Sequence, residues 1–227
     1  MHRTRIKFCG ITSATDAAAA ADAGADAVGM VFYEKAGRRV SMAVAAQIIA
    51  AIPPFVTPIG LFVDSPAREI QEAATTLGLR TVQLHGGEMP ELVAQLDGLA
   101  VIKAVRADPA QLESVLDQWR LANQTLPAGR LAGILVETAA TAEPGGTGVE
   151  NNWALLHAAR QNGWFTDLPP LIVAGGLTPE NVGAVIRQIR PWAVDVSSGI
   201  EQTRGIKAVE KMRAFAAAVA AADSDVI

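Results

Sequence analysis

Two glycine- and serine-rich turns late in the sequence have the composition to hold an anion. Leu-Ile-Val-Ala runs into Gly175-Gly176 and then Thr178-Pro179, and Ala-Val-Asp-Val runs into Ser197-Ser198-Gly199. Glycine lets the backbone approach a ligand, and amides at a helix start bind an anion without a cationic side chain. Each motif alone also reads as an ordinary turn; together, after consecutive strands, they point to phosphate. Cys9, the sole cysteine, ends the apolar run Arg5–Cys9 just before a capped helix start. That position suits a thiolate base or nucleophile, and equally an inert buried thiol. Glu137 ends Gly-Ile-Leu-Val-Glu, where a carboxylate is costly unless it is paired or used as an acid. Arg38 and Arg39 lie in a polar loop, either solvated or with one of them gripping a carboxylate at a pocket mouth. Lys103 would form a Schiff base if desolvated, and otherwise serves as a structural charge. His85, in Gln-Leu-His-Gly, suits a polar rim position or a catalytic one. Gly145-Gly146-Thr147-Gly148 suggests a loop over the site.

These residues share a relation to the elements around them: most end a short apolar run. Eight such runs are expected as strands, at Arg5–Cys9, Ala27–Phe32, Pro58–Val63, Thr81–Leu84, Val101–Ala104, Gly133–Glu137, Leu171–Ala174 and Ala193–Ser197. Nearly continuous apolar character bounded by Gly, Pro or polar residues marks strands buried on both faces. Helical segments alternate with them. Ser65-Pro66, Asp108-Pro109 and Thr178-Pro179 each offer an N-cap acceptor followed by proline. Ser13 with Asp16 is a weaker cap, and Gly24 and Gly78 stand where helices must stop. Helices are expected from Asp16 to Ala23 and from Lys207 to Ala220, with fraying after Ala220. Strict alternation implies parallel strands joined by right-handed crossovers. Eight units predict a single α/β domain over residues 1–227, a (β/α)8 TIM barrel whose active site lies at the C-terminal strand ends. A doubly wound sheet would show a nucleotide fingerprint after its first strand, where this chain has Gly-Ile-Thr-Ser.

Composition narrows the function. The 227 residues are half apolar and carry a formal charge of −4. No basic run offers a footprint for nucleic acid or an anionic membrane. One cysteine excludes an internal disulfide framework and fits a reducing, cytoplasmic compartment. No signal peptide or spanning segment is visible, and three scattered histidines do not suggest a metal site. Oligomeric state stays open between monomer and homodimer.

In this order the motifs resemble the phosphoribosylanthranilate isomerase family of tryptophan biosynthesis. The likeness runs through Lys7-Phe8-Cys9-Gly10-Ile11-Thr12, Gly24 to Gly29, Gln83-Leu84-His85-Gly86, the GGTG run, Ala174 to Val182, and Val194 to Glu201. It implies a single barrel with no metal or organic cofactor and a small phosphosugar substrate. The implied reaction is an Amadori rearrangement of an N-linked phosphoribose to a 1-amino-1-deoxyribulose phosphate. The resemblance implies Cys9 as general base, Glu137 as general acid, and Arg38 as ligand of the anthranilate carboxylate. It extends substrate contact to His85 and Asp195, and phosphate binding to Gly175, Gly176, Ser197, Ser198 and Gly199. The chain departs from the pattern at Glu137, where the family usually has aspartate; the carboxyl sits one methylene, about 1.5 Å, further out. Asn152 and Ala208 also replace usual aspartates. Proton transfer is expected to need an acid raised by a dry rim and a thiol lowered by positive potential. Two alternatives are a phosphosugar lyase or aldolase using Lys103, and a phosphosugar-binding barrel that lost its acid. A related Amadori isomerase of histidine synthesis would be expected to carry aspartate in place of Cys9.

Overall fold

The computed structural model describes residues 3–138 and 153–225. Its strands are β1 (Arg5–Cys9), β2 (Ala27–Val31), β3 (Thr57–Phe62), β4 (Thr81–Leu84), β5 (Ala100–Arg106), β6 (Leu131–Glu137), β7 (Leu171–Ala174) and β8 (Ala193–Val196). They pair in sequence order, all parallel, and β8 returns to β1 to close the barrel. Helices follow as α1 (Ala14–Asp22), α2 (Met42–Ala51), α3 (Ala67–Leu77), α4 (Pro90–Ala94), α5 (Leu112–Thr125), α6 (Trp153–Gln161), α7 (Val182–Ile189) and α8 (Val209–Ser224). Between β8 and α8 the chain makes a 3-10 turn (Ser198–Ile200) and a small hairpin, β9 (Glu201–Thr203) and β10 (Ile206–Lys207).

Each strand is buried on both faces because its alternate residues enter two different cores. Ile59, Ile102, Ala104, Leu135, Ile172, Ala174 and Ala193 fill the barrel interior. Cys9, Val31 and Leu61 form a second small cluster at the C-terminal strand ends. Phe8 belongs instead to the large cluster between strands and helices, where its ring meets Phe215 of α8 edge-on at 5.9 Å. The period of two therefore puts Lys7 and Cys9 together on the interior face.

Several helix starts differ from expectation, for one reason. Asp108 and Thr178 accept from the amides two residues on, those of Ala110 and Glu180, so each Pro-containing segment closes a turn first. α5 then begins at Leu112 and α7 at Val182. Pro66 occupies the cap position of α3 itself, with no side-chain cap bond. Ser13 caps α1 as expected, accepting from the Asp16 amide at 3.0 Å. The strand expected to end at Ser197 ends at Val196, and Lys207 lies in β10 rather than in α8. The Gly145–Gly148 loop, Asn152 and the last two residues lie outside the described residues.

Fraying expected after Ala220 is corrected for the described residues up to Ser224. α8 continues to Ser224 with Ala222 buried, and Asp223 accepts from the Thr4 amide at 2.7 Å and the Thr4 hydroxyl at 2.6 Å. The final turn is thus anchored to the residue just before β1. Replacing Asp223 with alanine leaves two donors of buried Thr4 without their carboxylate, a loss of about 1–3 kcal/mol. Urea unfolding should show a lower midpoint at unchanged slope; an unchanged midpoint would mean the contact carries no stability.

Candidate active site

The C-terminal strand ends surround a cavity of about 1040 Å³ lined by Cys9, Arg38, His85, Glu137, Gly175, Gly176, Asp195, Ser197 and Ser198, among others. Of the site residues that the family resemblance implies, the structure brings to one cavity all except Gly199, which lies just beyond Ser198. Arg39 is not among them: it reaches exposed Glu34 across 3.4 Å on the surface.

Cys9 sits beside a buried ion pair. Lys7 and Asp195 are register partners across the β1–β8 seam, and Lys7 Nζ lies 2.9 Å from Asp195 Oδ1 with both side chains almost fully enclosed. Lys7 Nζ and the Cys9 sulfur both border Gly29, where a Cβ would lie 3.2 Å from the first and 2.8 Å from the second. Burial pushes the Cys9 thiol up, Lys7 pulls it down, and Asp195 opposes Lys7; burial wins. Burial disfavours the Lys7 charge too, but Asp195 and Cys9 outweigh it and hold the ammonium above its ordinary value. The resting group is thus a thiol, the reverse of the depressed pKa expected from sequence.

Glu137 shows the opposite reversal. Gln83 Nε2 is 2.8 Å from His85 Nδ1, and His85 Nε2 is 3.3 Å from Glu137 Oε2. With the Gln83 amide donating to Nδ1, the ring carries its proton on Nε2 and donates it to the carboxylate. That hydrogen bond lowers the Glu137 pKa despite partial burial, and Arg106 and Lys7 add to the effect. Glu137 rests as a carboxylate, not as the dry-rim acid expected. Asp195 faces Lys7, so its reach to substrate is shared with an ion pair.

The phosphate candidates stand on two constrained turns. Gly175 has φ +88°, and a Cβ there would lie 2.3 Å from the Thr138 carbonyl oxygen. At Gly199 a Cβ would lie 1.9 Å from the Leu177 carbonyl oxygen, so both turns require glycine. Asn181 braces the first turn, donating to the Gly176 carbonyl and accepting from the Thr178 amide, each at 2.8 Å. The amides next to the cavity are consequently those of a turn, with the α7 start several residues further on.

Arg38 makes a bidentate pair with Glu201, Nε to Oε1 at 2.6 Å and Nη2 to Oε2 at 2.7 Å. Lys207 joins the same carboxylate at 3.0 Å. Lys103 is enclosed, 2.6 Å from both Glu88 Oε2 and the Gly86 carbonyl oxygen and 5.9 Å from the Trp119 ring centroid. Lys103 also borders the cavity, but its amine is committed to Glu88 and the Gly86 carbonyl, a structural tie rather than the free amine a Schiff base needs.

The sequence reading passed over Lys7, Gln83, Glu88, Glu201 and Lys207. Lys7 carried a usable signal, since it stands two residues before Cys9 in an apolar strand and must share its face. Glu201 and Lys207 carried none, because they meet only through the hairpin that follows the eighth strand.

The Cys9 environment makes a direct prediction, helped by the absence of any other cysteine. Its alkylation by iodoacetamide should titrate with a midpoint above that of an ordinary thiol. Lys7→Met removes the favourable charge and leaves Asp195 uncompensated, so the midpoint should move higher and the rate at pH 8 fall about tenfold. A lower midpoint in Lys7→Met would contradict the assignment.

Residues 6–218 match the family described as N-(5'-phosphoribosyl)anthranilate (PRA) isomerase. The N-(5'-phosphoribosyl)anthranilate isomerase of Pseudomonas fluorescens (strain SBW25) is 43% identical over 219 residues, 96% of this chain and 97% of that protein. Among solved structures, phosphoribosyl anthranilate isomerase from Thermotoga maritima aligns with a TM-score of 0.81 at 36% identity, covering 96% of this chain and 99% of that one. A phosphoribosyl anthranilate isomerase in complex with reduced 1-(o-carboxyphenylamino)-1-deoxyribulose 5-phosphate aligns at 0.79 with 34% identity and the same coverage. A closed eight-strand barrel with its cavity at these strand ends, matched at this identity over nearly its full length, belongs to the phosphoribosylanthranilate isomerase family.

Proposed function

We propose that the chain isomerises N-(5-phosphoribosyl)anthranilate to 1-(2-carboxyphenylamino)-1-deoxyribulose 5-phosphate, a step of tryptophan biosynthesis, by general acid–base catalysis. The observation that carries this reading is Cys9 and Glu137 in one cavity beside two glycine-dependent turns. Phosphate is held by Gly175, Gly176, Ser197, Ser198 and Gly199, and the aryl carboxylate by Arg38. Protonated Glu137 gives its proton to the ribose ring oxygen as the C1'–O bond breaks, leaving an open-chain iminium. Cys9 thiolate takes the proton from C2', and the pair of the broken C2'–H bond forms the C1'=C2' double bond and neutralises the iminium nitrogen, giving an enolamine. Tautomerisation yields the ketose. His85 holds the Glu137 carboxyl in place, and Lys7 supports the thiolate as it forms.

The resting protonation, thiol at Cys9 and carboxylate at Glu137, differs from the reactive one by moving a single proton between the two groups. No net proton is gained or lost, so the reactive fraction does not change with pH while the pair holds one proton. With Glu137 lowered by His85 and Cys9 raised by burial, that interval is wide. Below the Glu137 pKa both groups are protonated and the base is lost; above the Cys9 pKa both are ionised and the acid is lost. Accordingly kcat/KM should be flat across neutral pH, with its limbs outside the ordinary glutamate and thiol ranges. A narrow bell centred near neutrality would contradict the resting assignment.

Turnover itself is tested by following loss of the fluorescence of freshly prepared substrate; no rate above background would overturn the proposal. Glu137→Gln keeps the shape but cannot deliver a proton, so kcat should fall about 10²- to 10⁴-fold with product affinity within a few-fold. Glu137→Asp should also lower kcat, because the shorter carboxyl draws back from His85 and from the sugar. Full activity in Glu137→Gln would remove this residue from the mechanism.

A further inference from the structure

Glu201 lies behind the cavity wall and pairs with groups that serve both charged ends of the proposed substrate. It follows the 3-10 turn after β8 and begins the β9–β10 hairpin, and its side chain is 6% exposed. One carboxylate oxygen accepts from both Arg38 Nε and Lys207 Nζ, and the other from Arg38 Nη2. Lys207, enclosed completely, also donates to the Ser197 carbonyl at 2.9 Å and lies 3.4 Å from the Ser197 hydroxyl. Lys211 of α8 fixes the Glu201 backbone, donating to its carbonyl at 2.7 Å. The carboxylate thus touches the loop after β2 directly and the turn after β8 through one lysine.

The geometry has a consequence for Arg38. A guanidinium offers a fork at Nε and Nη2 and a second at the two terminal nitrogens. Glu201 occupies the first, which leaves Nη1 and the remaining Nη2 hydrogen as the pair open to a second carboxylate. Arg38 lines the cavity and Glu201 does not. The anchoring therefore sets the plane of the fork before any ligand arrives. Arg38 and Ser197 also converge: a Cβ on Gly10 would lie 2.5 Å from Arg38 Cδ and 3.0 Å from Ser197 Oγ. The two anion sites are neighbours on one brace.

We propose that Glu201 is a positioning residue that presets both anion sites, Arg38 for the aryl carboxylate and the Ser197 turn, through Lys207, for the phosphate. This rests on the isomerase reading above. Glu201 touches no reacting atom, so its loss should weaken binding and spare the chemical step. Its carboxylate is held well below the ordinary range, at about 2: burial raises the pKa, but Arg38 and Lys207 overcome that effect. The brace is therefore ionised wherever the enzyme works. Neutralising it leaves Arg38 and Lys207 facing each other without a counter-charge, and both sites should loosen together.

The test uses the full chain with two half-ligands as competitive inhibitors, anthranilate for the Arg38 site and inorganic phosphate for the turn. In Glu201→Gln, KM should rise about tenfold or more with kcat within about threefold, and both inhibition constants should rise about tenfold. Arg38→Met should weaken anthranilate and leave phosphate within twofold; Lys207→Met should do the converse. These two variants keep the proposal testable if Glu201→Gln does not fold. Their selective effects, absent in wild type and joined in Glu201→Gln, distinguish a shared brace from general loosening. An unchanged KM in Glu201→Gln, weakening of only one half-ligand, or a fall in kcat alone would overturn the proposal. So would either single variant weakening both half-ligands equally. If the wild-type chain itself fails to turn over phosphoribosylanthranilate, the isomerase reading fails instead, and that is seen before any variant is made.

Discussion

The register across the β1–β8 seam fixes nearly everything that matters at the catalytic end of this barrel. Parallel pairing sets Lys7 beside Asp195, and the side-chain period of two then puts Cys9 one step above Lys7 and Ser197 one step above Asp195. A one-residue slip of β1 would turn Lys7 and Cys9 away from the interior, and one of β8 would do the same to Asp195 and Ser197. Two charges inside an apolar barrel persist only as a pair, since either alone would be a buried charge without compensation. Closing the sheet thus also installs the electrostatic setting of the thiol. Proposed base and phosphate turn sit where they do because eight strands close with that register.

Above the apolar floor, the polar groups form short chains that tie one loop to another. Glu88 links the Asp64 and Gly86 amides to Lys103. Gln83 leads through His85 to Glu137, crossing from β4 to β6. Thr138 bonds the Ala174 and Gly175 carbonyls and so joins the end of β6 to the glycine turn. Buried ion pairs contribute little net stability once desolvation is counted. Their role here is geometric: they hold loops that the apolar core does not reach.

The barrel was readable because its strands are short, apolar on both faces and sharply bounded. Arg5–Cys9, Thr81–Leu84 and Leu171–Ala174 are bounded as the sequence indicates. Helix starts were less legible, since an acceptor followed by proline describes a turn as well as an N-cap, and at Asp108 and Thr178 the turn came first. Cys9 and Glu137 could be singled out because strand ends of a parallel barrel face one cavity. Their protonation could not, because it depends on Lys7, Asp195 and His85, which lie on other strands or owe their effect to burial. The partners of Arg38 were equally hidden: its contact with Glu201 spans 163 positions in sequence and is made by a hairpin that no periodicity announces.

The central claim is that one cavity seats the phosphate on the β7 and β8 turns, the aryl carboxylate on Arg38, and the sugar between Cys9 and Glu137. A crystal structure of this protein with reduced 1-(2-carboxyphenylamino)-1-deoxyribulose 5-phosphate measures all three at once. The account predicts phosphate oxygens within hydrogen-bond distance of backbone amides in the Gly175–Gly176 and Ser197–Gly199 turns. It predicts the carboxylate on the terminal nitrogens of Arg38, with the Glu201 pair intact, and the Cys9 sulfur and Glu137 carboxyl on opposite sides of the sugar carbons. Phosphate seated instead toward Lys103 and Glu88, or a sugar beyond the reach of Cys9, would contradict it.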